Sequence, residues 1–189
     1  RRVADWKATH TPQVAVLEQV HRPGEVLQTD GTWLTELGVT LQGQPFVGLW
    51  LHCVLPYSNW EWGGLAQSES LLALQLALAR TLMKLGHVPP FHQTDHSSAA
   101  TRQLKRGERA ATGQARGYTE GYLQLLAHYG MQPRTTHVHT PQENGDVEAS
   151  NGGLKRALTQ ALEIRGSREF PSLEAWQAFI EQVLEKRNR

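Results

Sequence analysis

The chain has 189 residues, 39% of them apolar, and its 19 Lys and Arg against 18 Asp and Glu leave a formal net charge of +1. That is enough apolar material for one compact domain. The charge balance neither demands nor excludes a nucleic-acid partner, so any basic footprint has to come from local clustering. One cysteine, Cys53, excludes a disulfide framework and suits a reducing compartment. No signal peptide is visible and no apolar run reaches the length of a bilayer span.

Residues 1–20 carry few packing signals and read as a linker or arm, ahead of a core expected over 21–165. Glu25 to Trp33 and Gln44 to Leu55 are rich in Val, Leu, Phe and Trp, are bounded by Gly and Pro, and predict strands. Cys53 sits inside the second of these runs and reads as a small buried apolar residue rather than a nucleophile. The turn signal Pro56-Tyr57-Ser58-Asn59 leads into a third strand from Asn59 to Leu65. Ser68 offers an N-cap, with Glu69 at the positive end of the helix that follows. That helix, Ser70 to Leu85 with Gly86 as its stop, is apolar nearly all round and predicts deep burial against a sheet. Phe91 to Asp95 is a short strand, so strand, long helix and strand suggest a crossover unit. The three glycines from Gly107 to Gly117 predict a mobile loop. Thr119 caps a helix with Tyr122, Leu125, Leu126 and Tyr129 on one face and Gly130 as its stop. A strand over Gln132 to Val138, a polar loop over Pro141 to Asp146 and a helix from Asp146 to Ile164 follow. The last helix starts at Ser172, with Trp176, Phe179, Ile180, Val183 and Leu184 in helical register. We read 166–189 as a C-terminal helix leading to a further domain, because both ends look cut from a longer protein.

Three acidic residues stand out by context. Asp30 closes Val26-Leu27-Gln28-Thr29, Asp95 closes Phe91-His92-Gln93-Thr94, and Glu148 lies in the first turns of a helix. A carboxylate at the end of a strand core is a poor choice for packing, because burying it unpaired costs several kcal/mol. Two such strands side by side would bring like charges together, which a bound cation makes tolerable. Oxygen ligands without thiolates point to Mg²⁺ or Mn²⁺. Two such ions about 3.5–4 Å apart support the attacking and leaving oxygens of a phosphodiester displacement. In this scheme Asp30 bridges both ions while Asp95 and Glu148 each anchor one.

The segments Gln28-Thr29-Asp30-Gly31-Thr32, Gln93-Thr94-Asp95-His96-Ser97-Ser98 and Pro141-Gln142-Glu143-Asn144-Gly145-Asp146-Val147-Glu148-Ala149-Ser150-Asn151 resemble the three motifs of retroviral-type integrase cores. Among these the chain is most similar to bacterial insertion-sequence transposases of the IstA type, over roughly Gly24 to Ile164. The resemblance implies an α/β, ribonuclease H-like fold: a five-stranded mixed sheet flanked by helices. It implies a DDE transposase, with Asp30, Asp95 and Glu148 as catalytic metal ligands and two Mg²⁺ per site, replaceable by Mn²⁺. The reaction would free transposon 3′-hydroxyl ends by hydrolysis and transfer them into target DNA, with no covalent protein–DNA intermediate. It further implies transposon-end and target DNA as partners, a dimer or higher homo-oligomer, a helper AAA+ ATPase, and a place in the bacterial cytoplasm at the nucleoid. Two departures stand out: Asp95 and Glu148 are further apart than in retroviral integrases, and position 96 is His where these motifs commonly have Asn.

Candidate DNA contacts follow from the same motifs. Glu148, Asn151 and Lys155 share one helix face, and related integrases use a Lys at the matching position for DNA ends. A solvated polar face is the alternative. His96 is a candidate for a metal-bound water or DNA. Arg102, Lys105, Arg106, Arg109 and Arg116, against Glu108 alone, form a basic segment able to track a DNA backbone, or an incidentally charged loop. His92, His137 and His139 are candidates to line a DNA groove, since no His/Cys quartet suggests structural zinc. The tryptophans, Trp33, Trp50, Trp60 and Trp62 among them, fall on strand candidates and read as core or sheet-face residues, and the alternation of Trp60 and Trp62 with Glu61 offers one face of that strand as an aromatic surface for a partner. Two other functions compete: a nuclease of the same fold that cuts without joining, and a non-catalytic DNA-binding or assembly module.

Overall fold

The computed structural model describes residues 21–94, 99–112, 116–134 and 145–189. Strand β1 (Val26–Trp33) lies at the centre of a five-stranded sheet. It pairs antiparallel with β4 (Leu49–Leu55) and parallel with β6 (Phe91–Thr94). β5 (Trp60–Ala66) completes one edge, antiparallel to β4, and β9 (Gln132–Arg134) the other, parallel to β6. The mixture follows from the connections. The tight turn after Leu55 can only return an antiparallel strand, whereas β5 reaches β6 through α1 (Leu71–Leu85), a crossover long enough for parallel pairing.

Helices cover both faces, so β4 is buried at all seven positions and its residues alternate between two cores. Leu49, Leu51, Cys53 and Leu55 pack with Leu27 against Leu74, Leu78 and Leu82 of α1 and Tyr122 and Leu126 of α3 (Glu120–Tyr129). Trp50 points the other way, into a core with Leu154, Leu158 and Leu162 of α4 (Gly145–Arg165) and Trp176, Ile180 and Leu184 of α5 (Leu173–Arg187). Each fully buried leucine of these layers contributes on the order of 1.5–3 kcal/mol. β5 lies flat under this arrangement because Gly63 has no side chain. A Cβ there would sit 2.1 Å from the Leu51 carbonyl oxygen and 2.7 Å from the Trp50 indole nitrogen.

A small three-stranded second sheet ties the α4–α5 connection back to the segment that follows β1. β10 (Glu169–Phe170) runs parallel to β2 (Thr40–Leu41), which forms a hairpin with β3 (Gln44–Pro45). The Glu169 carboxylate accepts hydrogen bonds from Thr40 Oγ1 and, at 3.0 Å, from the Gly43 amide.

Several expectations change. Ser70, not Ser68, caps α1, its hydroxyl accepting from the Ala73 amide at 3.2 Å. α1 is not buried all round: Leu72, Leu76 and Met83 are exposed, because the sheet covers only the stripe through Leu74, Ala77, Leu78, Thr81 and Leu82. The segment read as a mobile loop is ordered at both ends. β7 (Thr101–Gln103) pairs with β8 (Arg116–Tyr118), and α2 (Arg106–Thr112) lies between them. Glu108 stabilises that helix start, accepting from the Lys105 amide and gripping Arg102 at 2.7 and 3.1 Å. The strand expected to reach Val138 is described only as Gln132–Arg134, and the arm over 1–20 lies outside the described residues. Among the described residues no helix is long and apolar enough to cross a membrane.

Candidate active site

β1 brings Asp30 to the sheet face that α4 covers, where the carboxylate is half-buried. The Asn151 side chain, in the second turn of α4, donates from Nδ2 to Asp30 Oδ2 at 2.8 Å. Glu148 lies three residues earlier on the same helix and is exposed. Residues three apart on a helix are neighbours, so Glu148 shares a helix face with Asn151. Asp95 directly follows β6, which pairs with β1 through Thr29 and Thr94, and itself lies outside the described residues, as do His96, His137 and His139. Among the described residues no three His, Cys, Asp or Glu side chains cluster as a metal site. Asp30 offers hard oxygen donors, one of which accepts from Asn151. The nearby softer groups are otherwise engaged: His52 and His92 are fully buried in hydrogen bonds, and the Cys53 thiol lies 3.3 Å from the Thr29 hydroxyl, its ionisation opposed by burial. Glu69, just before α1, lies by Gly31 on the face of β1 opposite Asp30. A side chain on Gly31 would meet its Oε1 at 3.2 Å.

Asn151 was expected to present itself to DNA. It is instead buried, and both ends of its amide are used. Oδ1 lies 2.7 Å from Nδ1 of His52, the residue paired with Asp30 across the ladder. The other side of the His52 ring faces Glu61, with Nε2 3.0 Å from Oε2. Glu61 accepts from Ser150 Oγ and from Arg187 Nε, while its backbone amide and carbonyl bind the Asn188 side chain at 2.9 and 2.8 Å. Burial alone would raise the Glu61 carboxyl, but the contacts with His52, Arg187 and Ser150 outweigh it and hold the group down at about 2. Gly153 admits the Arg187 guanidinium, which would lie 3.0 Å from a Cβ at that position.

Sequence reading missed His52, Glu61, Ser150, Arg187 and Asn188. The available signal was parity: on paired strands, Asp30, His52 and Glu61 all fall on the face opposite the Cys53 core. Lys155, a candidate for DNA, pairs with Glu36 at 2.5 Å. Arg102 is held by Glu108, Lys105 is exposed, and Arg106 opens α2. Two further readings are corrected. His92 does not line a groove: it is fully buried, hydrogen-bonded to Thr29 Oγ1 at 2.9 Å and Tyr122 OH at 2.7 Å, and burial lowers its pKa to about 3. Trp50 and Trp62 are core residues, as the strand reading expects, and Trp60 and Trp62 do not form an open aromatic face. Trp62 is buried against Trp60, with the Lys84 ammonium 4.7 Å from its ring centre.

This sheet order with its flanking helices has counterparts among solved structures. A chain of the simian T-cell lymphotropic virus intasome, solved in complex with PP2A regulatory subunit B56 gamma, superposes with a TM-score of 0.63 at 16% identity, over 89% of this chain and 49% of that one. The HTLV-2 integrase catalytic core domain, solved in complex with magnesium, gives 0.58 at 17% identity, over 86% and 84%. The BIV integrase catalytic core gives 0.51 at 14%, over 85% and 81%. The chain has the ribonuclease H-like fold of retroviral integrase catalytic cores. No protein-family model matches it. A curated relative, the uncharacterized protein y4jA/y4nE/y4sE of Sinorhizobium fredii, is 35% identical over 190 residues, and the chain spans 36% of that protein's length.

Proposed function

We propose that this chain is the catalytic core of a DDE transposase of the IstA type, which hydrolyses DNA at transposon ends and transfers the freed 3′-hydroxyl into target DNA. The observation that carries the reading is the Asn151–Asp30 bond. It ties the second turn of α4, the helix that carries Glu148 three residues earlier, to the acidic residue of the central strand of an integrase-core fold. Asp30, Asp95 and Glu148 would hold two Mg²⁺ ions, for which Mn²⁺ can substitute. Bound there, the ions would supply charge stabilisation to the attacking and leaving oxygens of the phosphodiester. The protein's own part is placement. Asn151 fixes the Asp30 carboxylate, and the exposed Glu148 stays accessible from solvent. Lys155, Arg102, Lys105 and Arg106 are the candidate phosphate contacts, and Lys155 and Arg102 would exchange Glu36 and Glu108 for DNA. His96 next to Asp95 is a further candidate. As partners we propose transposon-end and target DNA, a second copy of the chain and a helper AAA+ ATPase, in the cytoplasm of a bacterium.

The first test is Mn²⁺ soaked into crystals of the chain. Anomalous density about 2.0–2.3 Å from carboxylate oxygens of Asp30 and Glu148 is the expected result. Its absence, with the carboxylates apart even when DNA is bound, would favour a non-catalytic assembly module. A plasmid assay in Mn²⁺ separates the remaining readings: joined products indicate a transposase, and nicks without joining indicate a nuclease. Asp30→Asn and Glu148→Gln should each reduce either activity to background.

A further inference from the structure

His52 is an imidazole with no exposed surface, on β4 between Trp50 and Val54 of the same face, and its two ring nitrogens meet Asn151 and Glu61. The atoms around it leave little freedom. A carboxylate can only accept, so the Asn151 amide must turn Nδ2 towards Asp30, as it does at 2.8 Å. That turn leaves Oδ1 towards His52, and an amide oxygen also only accepts. The hydrogen between them therefore sits on Nδ1 of the ring. On the far side Nε2 meets Glu61, whose carboxylate is anchored by Arg187 of α5 and by Ser150, the neighbour of Asn151 on α4, and whose backbone is held by the Asn188 side chain.

We propose that His52 is a positioning residue: held from behind by the Glu61–Arg187 anchor, it fixes the orientation of the Asn151 amide and so presents Asp30 to the metal. The inference rests on the reading of Asp30 as a metal-holding carboxylate. A merely structural role explains the arrangement poorly. A buried ion pair is often matched or bettered in stability by well-packed apolar residues, and its best-attested use is to specify geometry. Here the specified object is one rotamer. Without the ring, the Asn151 amide loses its partner on Oδ1 and can flip, turning a donor's place over to an acceptor facing Asp30. Glu61 holds the same helix turn twice, directly through Ser150 and indirectly through His52 and Asn151. The relay also makes Asp30 sensitive to how α5 seats, because Arg187 and Asn188 close its far end.

Two amide substitutions split the ring's two jobs. In His52→Asn the side-chain nitrogen takes the place of Nδ1 and keeps the link to Asn151. In His52→Gln it takes the place of Nε2 and keeps the link to Glu61. With free Mn²⁺ read by electron paramagnetic resonance, His52→Gln should bind the ion about 10-fold more weakly than the natural chain, and His52→Asn should recover most of that loss. Stability should rank the other way, since only His52→Gln retains a partner for Glu61. Mn²⁺ affinity unchanged in a folded His52→Gln overturns the relay and leaves the metal reading standing. Conversely, Asp30→Asn binding Mn²⁺ as well as the natural chain overturns the metal reading, and with it the purpose assigned to His52. A second measurement needs neither metal nor variant: a long-range ¹H–¹⁵N spectrum of the natural chain should show the His52 hydrogen on Nδ1. A bare Nδ1 overturns the proposal.

Discussion

The two faces of the central strands bury polar groups in opposite styles. Under α4 and α5, Asp30, Asn151, His52, Glu61 and Arg187 form a chain with formal charges at both ends, open to the half-buried Asp30. Under α1 and α3, Thr29, Cys53, His92 and Tyr122 form a closed group of hydroxyls, thiol and uncharged imidazole. Adjacent residues of the same strands, Asp30 and Thr29 on β1 and His52 and Cys53 on β4, belong to different groups, because side chains alternate across a sheet. The lesson is that burial by itself says little about function. His52 and His92 are both fully buried, and only the former leads to a candidate catalytic residue.

The comparison breaks most severely at Glu61. Glu61→Ala should cost about 3–5 kcal/mol, as expected when one partner of a buried charge cluster is removed and the rest stays behind. Denaturant unfolding measures it. A cost under about 1 kcal/mol would mean that water reaches the cluster and that the two faces do not differ in kind.

Acid titration separates the faces in a single protein. The folded pKa of His92, about 3, lies below its ordinary 6.5, so the unfolded chain takes up this proton first. Stability from His92 is whole above about pH 6.5 and falls by about 1.4 kcal/mol per pH unit towards pH 3. Glu61 is also depressed, from 4.5 to about 2. Its contribution is whole above about pH 4.5 and is lost between there and about pH 2. The α1 face should therefore begin to weaken two pH units before the relay does. Stability measured from pH 7 down to 3 should lose its upper limb in His92→Gln and only its lower limb in Glu61→Gln. An upper limb that survives in His92→Gln would assign it to another group.

Much of this frame was legible in the sequence, and the exceptions have a common cause. β1, β5 and α3 were readable because strand alternation and helix caps are local: Thr119 accepts from the Tyr122 amide three residues away, and Gly130 closes the helix with a positive φ. The candidate acidic residues rest on motif context, which is also local. The relay was not, because its bonds join residues 99, 89 and 126 positions apart and depend on strand register. For the same reason Asn151 looked like a DNA contact. The face it shares with Glu148 and Lys155 was visible, whereas the strand beneath it was not. The exposure of Leu72, Leu76 and Met83 shows a further limit, since an all-round apolar helix does not say which side the sheet will cover.

The smallest expected effect concerns Cys53, which shares β4 with His52 but lies on the closed face. Thiol chemistry needs the thiolate and access. Cys53 has neither: it has no exposed surface, and burial opposes its ionisation more than its contacts with Thr29 and Thr81 favour it. Iodoacetamide at pH 8 should therefore leave the native chain unmodified and label it fully in denaturant, as mass spectrometry reads directly. Cys53→Ala, which removes only a sulfur that a methyl-sized cavity replaces, should cost about 1 kcal/mol and leave Mn²⁺ binding unchanged. Native labelling at a rate near that of a free thiol would show the α1 face opening on its own, and the contrast between a closed face and a face that serves the site would have to be redrawn as one between a loose core and a clamped one.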